Sequence, residues 1–152
     1  MKKLAIFLAT GAYIGKIPVA PGTFGTLWGV LAAWLISDLS LEGRGLATVA
    51  VIAVSVWASG LASKAFGKHD HPSIVADEIS GYLVSFFMLP FTLANAILVF
   101  ILFRFFDIVK PYPAGMLDKQ LKGGAGVVLD DVAAGVYANM CAQALIFIYG
   151  TL

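Results

Sequence analysis

The chain has 152 residues, of which 60% are hydrophobic and only 12% charged, and its net charge is +1; a soluble domain carries roughly 25% charged residues. A domain this small leaves much of its surface exposed, so the composition excludes a soluble monomer, a disordered chain and a nucleic-acid binder, and points to lipid as solvent. The one cysteine, Cys141, lies in an apolar stretch and allows no intrachain disulfide.

Met1-Lys2-Lys3 followed by Leu4 to Ala9 reads either as the start of a signal peptide or as a short membrane-surface helix. The lack of a clear small-residue cleavage pattern favours the helix. Leu27–Leu41 and Leu46–Ala62 are apolar arms around Glu42, Gly43 and Arg44, which predicts a helical hairpin with a tight polar tip. A polar segment follows, holding Lys64, Lys68, His69, Asp70, His71, Pro72, Asp77 and Glu78. The apolar run Ile79–Phe103 is interrupted by Pro90. A second polar segment, Arg104 to Asp131, holds Asp107, Lys110, Pro111, Pro113, Asp118, Lys119 and Lys122, and the last apolar run is Val132–Leu152. No segment alternates as a strand does and no repeat stands out. The expectation is a single domain over residues 1–152 with an all-α fold. It is a multi-helical membrane protein built from a helical hairpin, a Pro-broken helix pair and a C-terminal apolar helix.

Charge placement constrains the topology. If residues 79–103 cross the membrane once, the ten basic residues divide five to five. If the run bends back near Pro90, nine share one side and Arg44 stands alone, the arrangement that the positive-inside rule favours. Proline supplies a place to bend, since it lacks an amide donor and clashes with the preceding turn. Each half of the run is about half a span long, so the pair is expected to be re-entrant or shallow, with protein covering its backbone ends.

Four constellations carry candidate chemistry. Pro18-Val19-Ala20-Pro21-Gly22-Thr23-Phe24-Gly25-Thr26 opens the first long helix. It reads as a proline–glycine entry turn with a threonine cap, or as a phosphate cup that uses helix amides and hydroxyls. Asp77-Glu78 reads as an N-terminal pair complementing a helix dipole, or as costly membrane-edge carboxylates held by a metal. In Arg104-Phe105-Phe106-Asp107-Ile108-Val109-Lys110, the charged residues recur every third position and share a helix face. That is either a surface ion-pair ladder or a metal-holding carboxylate beside phosphate-holding cations. Gly123-Gly124-Ala125-Gly126 leads as a glycine loop to Asp130-Asp131, a repelling pair that a cation such as Mg²⁺ would compensate. Five of the nine acidic residues thus sit at edges of apolar runs, and a return at Pro90 would gather all five on one face as a metal-dependent phosphate site. His69-Asp70-His71 lacks a partnered ligand spacing and reads as a solvated loop. Trp28, Trp34, Trp57, Tyr82 and Tyr112 read as interface anchors and core.

These motifs resemble the phosphatidylglycerophosphatase A family. The matching residues are Pro18-x-x-Pro21-Gly22-Thr23-x-Gly25-Thr26, Asp77-Glu78-Ile79-x-Gly81, Phe103-Arg104-x-Phe106-Asp107-x-x-Lys110-Pro111-x-Pro113 and Gly123-Gly124-x-Gly126-x-x-x-Asp130-Asp131-x-x-Ala134-Gly135. They come in the family order and run from Pro18 to Ala138. Ser80-Gly81-Tyr82 departs from the usual pattern and touches substrate fit more than metal binding. The resemblance implies a Mg²⁺-dependent phosphatase of the bacterial inner membrane, and the charge placement puts its active face on the cytoplasmic side. It would convert phosphatidylglycerophosphate to phosphatidylglycerol, with a phospholipid substrate and no nucleic-acid partner. The sequence leaves a homo-oligomer open. By the same resemblance Asp77, Glu78, Asp107, Asp130 and Asp131 are candidate metal ligands or a water-activating base. Gly22, Thr23, Gly25, Thr26, Arg104 and Lys110 are candidate phosphate contacts, Lys110 counting also among the catalytic residues. A phosphatase for another lipid phosphate, or a non-enzymatic membrane subunit, is the competing expectation.

Overall fold

A computed structural model describes residues 1–112 and 114–150, and among these all side chains except those of Asp118 and Lys119. Pro113 of the third motif therefore lies outside the described residues. The described chain is all helical: α1 (Lys2–Ala9), α2 (Pro21–Leu35), α3 (Leu41–Phe66), α4 (Ala76–Ser85), α5 (Leu93–Val109), α6 (Ala114–Gln120) and α7 (Gly123–Tyr149). Two of them, α3 and α7, are long and apolar enough to cross a membrane. Less than a third of the most apolar stretch of each is buried within the protein, which leaves apolar side chains for lipid.

The N-terminal helix is present as α1, but it runs along α3 and not apart from the bundle, with Ala5 and Ala9 buried against Ala58 and Ala62. The hairpin arms are present as α2 and α3, but the tip differs from the expectation. It falls at residues 36–40, and Glu42, Gly43 and Arg44 belong to the first turn of α3. The reason is local: the Ser40 hydroxyl caps α3 by accepting from the Gly43 amide at 3.2 Å, and Glu42 suits the positive end of the helix. The arms are also held by a third element, since α4 packs against both α2 and α3. Gly29 of α2 lies against the Tyr82 ring, where a Cβ would overlap. On the other side the Ser55 hydroxyl of α3 lies 2.9 Å from that of Ser80, which donates to the Ala76 carbonyl.

The run 79–103 bends back, as the charge count favoured. The helix ends at Ser85, earlier than a split at Pro90 implies, and α5 extends beyond Phe103 to Val109. A proline at 90 cannot donate to the Phe86 carbonyl, which accepts instead from the Leu89 amide at 3.2 Å in a tighter turn. Met88 turns with a φ of 66° and Thr92 caps α5 by accepting from the Asn95 amide. Polar side chains then satisfy the turn. Asn139 of α7 donates to the Ser85 and Phe87 carbonyls, Arg44 of α3 to that of Leu89, and Asn95 to that of Pro90. The cover expected from the hairpin and the last helix is thus supplied by one side chain from each.

The glycine segment 123–126 also differs from expectation. It is the first turn of α7 rather than a loop, and Asp130-Asp131 lie about two turns inside the helix. A Cβ on Gly124 would strike the Val56 carbonyl and the Gly60 amide, so this glycine brings α7 against α3 backbone to backbone, as small residues do between membrane helices. The core lies around α4, where Tyr82, Phe86, Val99, Phe103, Ala134 and Ala138 pack together. Trp34, Trp57 and Tyr112 are exposed, whereas Tyr82 is fully buried.

Candidate active site

Because α2 and α4 run side by side in the same direction while α5 returns against them, the N-termini of α2 and α4 and the C-terminus of α5 come to one end of the bundle. Gly22 of α2 meets Glu78 in the first turn of α4, and the Arg104 guanidinium from the end of α5 reaches the same point. A cleft of about 420 Å³ opens there. Its lining includes Gly22 and Thr23 of α2, Asp77 and Glu78 of α4, Arg104 and Asp107 of α5, Lys110 just beyond it, and Asp130 and Asp131 of α7. The five acids drawn from separate motifs are therefore neighbours.

They divide into two kinds. Asp107 accepts from Arg104 Nη1 at 2.6 Å, and Asp130 pairs with Lys110 Nζ at 2.5 Å. Asp77, Glu78 and Asp131 form the other group, with one oxygen from each lying within 4.8 Å of the others. Asp77 Oδ1 and Glu78 Oε2 are buried and have no hydrogen-bond partner. Buried, unpaired carboxylate oxygens packed together are costly, and a hard divalent cation with oxygen ligands fits this donor set. Asp107 also faces Asp131, so it borders the group while paired to arginine.

Two candidate phosphate contacts sit behind the wall rather than on it. Gly25 lies against Val75 and Glu78, where a Cβ would overlap Val75. Thr26 is fully buried, donates to the Gly22 carbonyl at 2.8 Å, and accepts from Arg104 Nη1 at 3.5 Å. Both shape the cup: Gly25 admits α4, and Thr26 helps to seat the arginine. The cup itself opens at the start of α2, whose N-cap is Ala20 in a left-handed conformation and offers no side-chain cap. First-turn amides and the positive end of the helix dipole thus face the cleft.

Sequence reasoning left out Lys68 and Asp70, which line the same cleft from the α3–α4 connection. Their only signal was position, a few residues before the acidic pair. His69-Asp70-His71 is a loop, as expected: His71 stacks on Phe66 at 4.5 Å, and its Nδ1 accepts from the Ser73 amide.

Burial is the main reason that Asp77 holds its proton well above the usual carboxylate range, with the neighbouring Glu78 charge next and Asp131 and Asp70 adding to it. Burial also raises Glu78; hydrogen bonding with Asp77 pulls it down, Asp107 pushes it up, and Arg104 pulls it down. A carboxylate whose affinity for a proton rises on folding stabilises the protein below its unfolded pKa, and that stability is lost as pH rises through the folded pKa. Thermal unfolding in EDTA should therefore show a higher Tm near about pH 5 than near about pH 8. Asp77→Asn should flatten this dependence, and an unchanged slope would contradict it.

Fold and cleft together define an all-helical, membrane-associated protein with a polyacidic site at one end of its bundle. The sequence model for phosphatidylglycerophosphatase A matches residues 7–146. The chain is 37% identical over 145 residues to the phosphatidylglycerophosphatase A of Haemophilus influenzae, covering 91% of this chain and 89% of that protein. It is 34% identical over 130 residues to the one of Escherichia coli, covering 85% and 76%. A Bacteroides thetaiotaomicron protein, provisionally named phosphatidylinositol-3-phosphatase, is 33% identical over 144 residues, covering 89% of each. No solved structure matches the chain. The chain belongs to the phosphatidylglycerophosphatase A family.

Proposed function

We propose that the chain is a Mg²⁺-dependent phosphatase that hydrolyses phosphatidylglycerophosphate to phosphatidylglycerol and phosphate. It acts at the cytoplasmic face of the bacterial inner membrane. The observation that carries this reading is the buried group Asp77, Glu78 and Asp131, flanked in one cleft by Arg104 and Lys110. Its three carboxylates would hold the cation. When bound, Mg²⁺ would offset phosphate charge and align the phosphorus for displacement. The chain's own groups do the rest. Arg104, fixed by Asp107 and Thr26, and Lys110, fixed by Asp130, present cations that need no reorganisation to meet a phosphate. The open first turn of α2 adds amide donors, and Gly22 leaves room for the ligand, since a side chain there would press on Glu78 and Arg104.

The charge pattern supports the assigned face. Nine of the ten basic residues are on segments at the cleft end, with Arg44 at the other, and cytoplasmic segments are the basic ones.

The test is phosphate release by purified protein. Activity should fall to background in excess EDTA and return with Mg²⁺; full activity in EDTA would remove the cation from the reading. The relative named for a phosphoinositide substrate favours a second reading, a phosphatase for another lipid monophosphate. Phosphatidylglycerophosphate, phosphatidylinositol 3-phosphate and phosphatidic acid assayed side by side separate the two: the first should give a kcat/KM at least about tenfold above the others.

A further inference from the structure

We infer that Lys68 is a specificity-determining contact for a second phosphate, the phosphodiester that joins the substrate's headgroup to its glyceride. The inference rests on the phosphatase reading above and goes beyond it, because it concerns a residue outside the four motifs.

Three cations line the cleft: Arg104, Lys110 and Lys68. The first two are each tied to a carboxylate and stand beside the buried acids, where the phosphate to be removed must sit. Lys68 is different in three respects. It comes from a different element, the connection between α3 and α4. It is exposed at the mouth, whereas Asp77 and Asp131 are buried at the floor. Among the described residues no ion pair engages its ammonium.

Its backbone is nevertheless held in place. Gly67 ends α3 in a left-handed turn, and the Lys68 amide bonds to the Ser63 carbonyl at 3.3 Å. The Ser63 hydroxyl donates to the His69 carbonyl at 2.5 Å. His71 stacks on Phe66, and the Val75 amide donates to the Ala9 carbonyl at 2.8 Å. The connection is thus pinned at both ends, and the lysine is presented rather than left on a free loop. The His-Asp-His segment that carries no metal spacing has its use here, as the anchor that sets Lys68 beside the cleft.

A headgroup with its phosphomonoester at the floor must pass the mouth on its way to the acyl chains. What lies one glycerol away from the monoester is a phosphodiester, an anion that a lysine ammonium at the mouth can pair with. Phosphatidic acid has no second phosphate there, and neither has a soluble monophosphate. Lys68 would therefore sort lipid substrates by their second anion while leaving the chemistry at the floor alone.

The experiment is steady-state kinetics in mixed micelles on Lys68→Gln, Lys68→Arg and, as a control of equal charge change outside the cleft, Lys64→Gln. Lys68→Gln should raise KM for phosphatidylglycerophosphate by about fivefold, the size of a partly exposed ion pair, with kcat unchanged. Its KM for phosphatidic acid and for glycerol 3-phosphate should not move. Lys68→Arg should restore the wild-type KM, and Lys64→Gln should match wild type throughout. Equal losses on all three substrates, an effect on kcat alone, no effect, or the same effect from Lys64→Gln would each overturn the assignment. Wild-type protein inactive on phosphatidylglycerophosphate would instead overturn the phosphatase reading beneath it, a result seen before any variant is compared.

Discussion

Asp131→Asn should lower turnover by at least about 10²–10³-fold, the scale on which one fixed electrostatic partner in a buried site counts, while the protein still purifies folded. Asp131 is buried at 4% exposure and stands with Asp77 and Glu78, one oxygen of each within 4.8 Å. Asparagine keeps the shape of the side chain, so the packing of α7 against Gly81 of α4 is not disturbed. It replaces an anionic oxygen by a neutral amide, and the group loses one of the three charges that would hold a divalent ion. Two measurements check this together. Phosphate release reads the loss of activity, and thermal unfolding with and without Mg²⁺ reads the loss of the cation. In wild-type protein Mg²⁺ should raise Tm, because a ligand that binds only the folded state stabilises it. In Asp131→Asn that gain should shrink, while Tm in EDTA should hold or rise, one buried repulsion having been removed. Full activity in the variant would exclude Asp131 from the site. Lost activity with an intact Mg²⁺ response would move the residue from cation binding to another role.

The helices and their apolar faces were legible because hydropathy reports them directly. The boundaries were less so. The charges of Glu42-Gly43-Arg44 suggest a turn, yet Ser40 as a cap begins α3 before these residues, and Arg44 donates to the Leu89 carbonyl. The glycines at 123–126 suggested a loop, and the same composition serves close packing of α7 on α3. Both cases turn on tertiary contacts that a local pattern does not contain. For the site, the identity of the acids was readable, since carboxylates at the edges of apolar runs need a reason. The Arg104–Asp107 pair was readable too, as one rung of the ladder that a three-residue spacing allows. Which three acids cluster, and that Lys110 turns from Asp107 to Asp130, was not, because that pair joins the end of α5 to α7 across 20 residues of sequence. Gly25 and Thr26 belong to the same motif as Gly22 and Thr23, but the helix turns them inward by one turn. Lys68 carried no motif at all, and only the fold brings it to the cleft.

Single cysteines at Lys68 and Lys122, in a Cys141→Ser background, should react with an impermeant maleimide from one side of the membrane, and a cysteine at Asp38 from the other. All three positions are exposed, and Cys141 is a half-buried thiol of α7 that must be removed first. The expectation follows from the return between α4 and α5. The ten residues of α4 reach about 15 Å, half of a bilayer core. A chain that stopped there in lipid would leave bare carbonyls at the turn, each costing several kcal/mol. Those of Ser85, Phe87, Leu89 and Pro90 instead meet Asn139, Arg44 and Asn95, so the turn is finished within protein and the chain can come back. The return is what lets Asp107 at the end of α5 face Glu78 at the start of α4, and so puts both polar segments on one face. Inverted vesicles should label Lys68 and Lys122, and right-side-out vesicles should label Asp38, the orientation in which the basic end is cytoplasmic. Labelling of Lys68 and Lys122 from opposite sides would mean that residues 79–103 cross once, and the acids of α4 and α7 could then meet only between subunits.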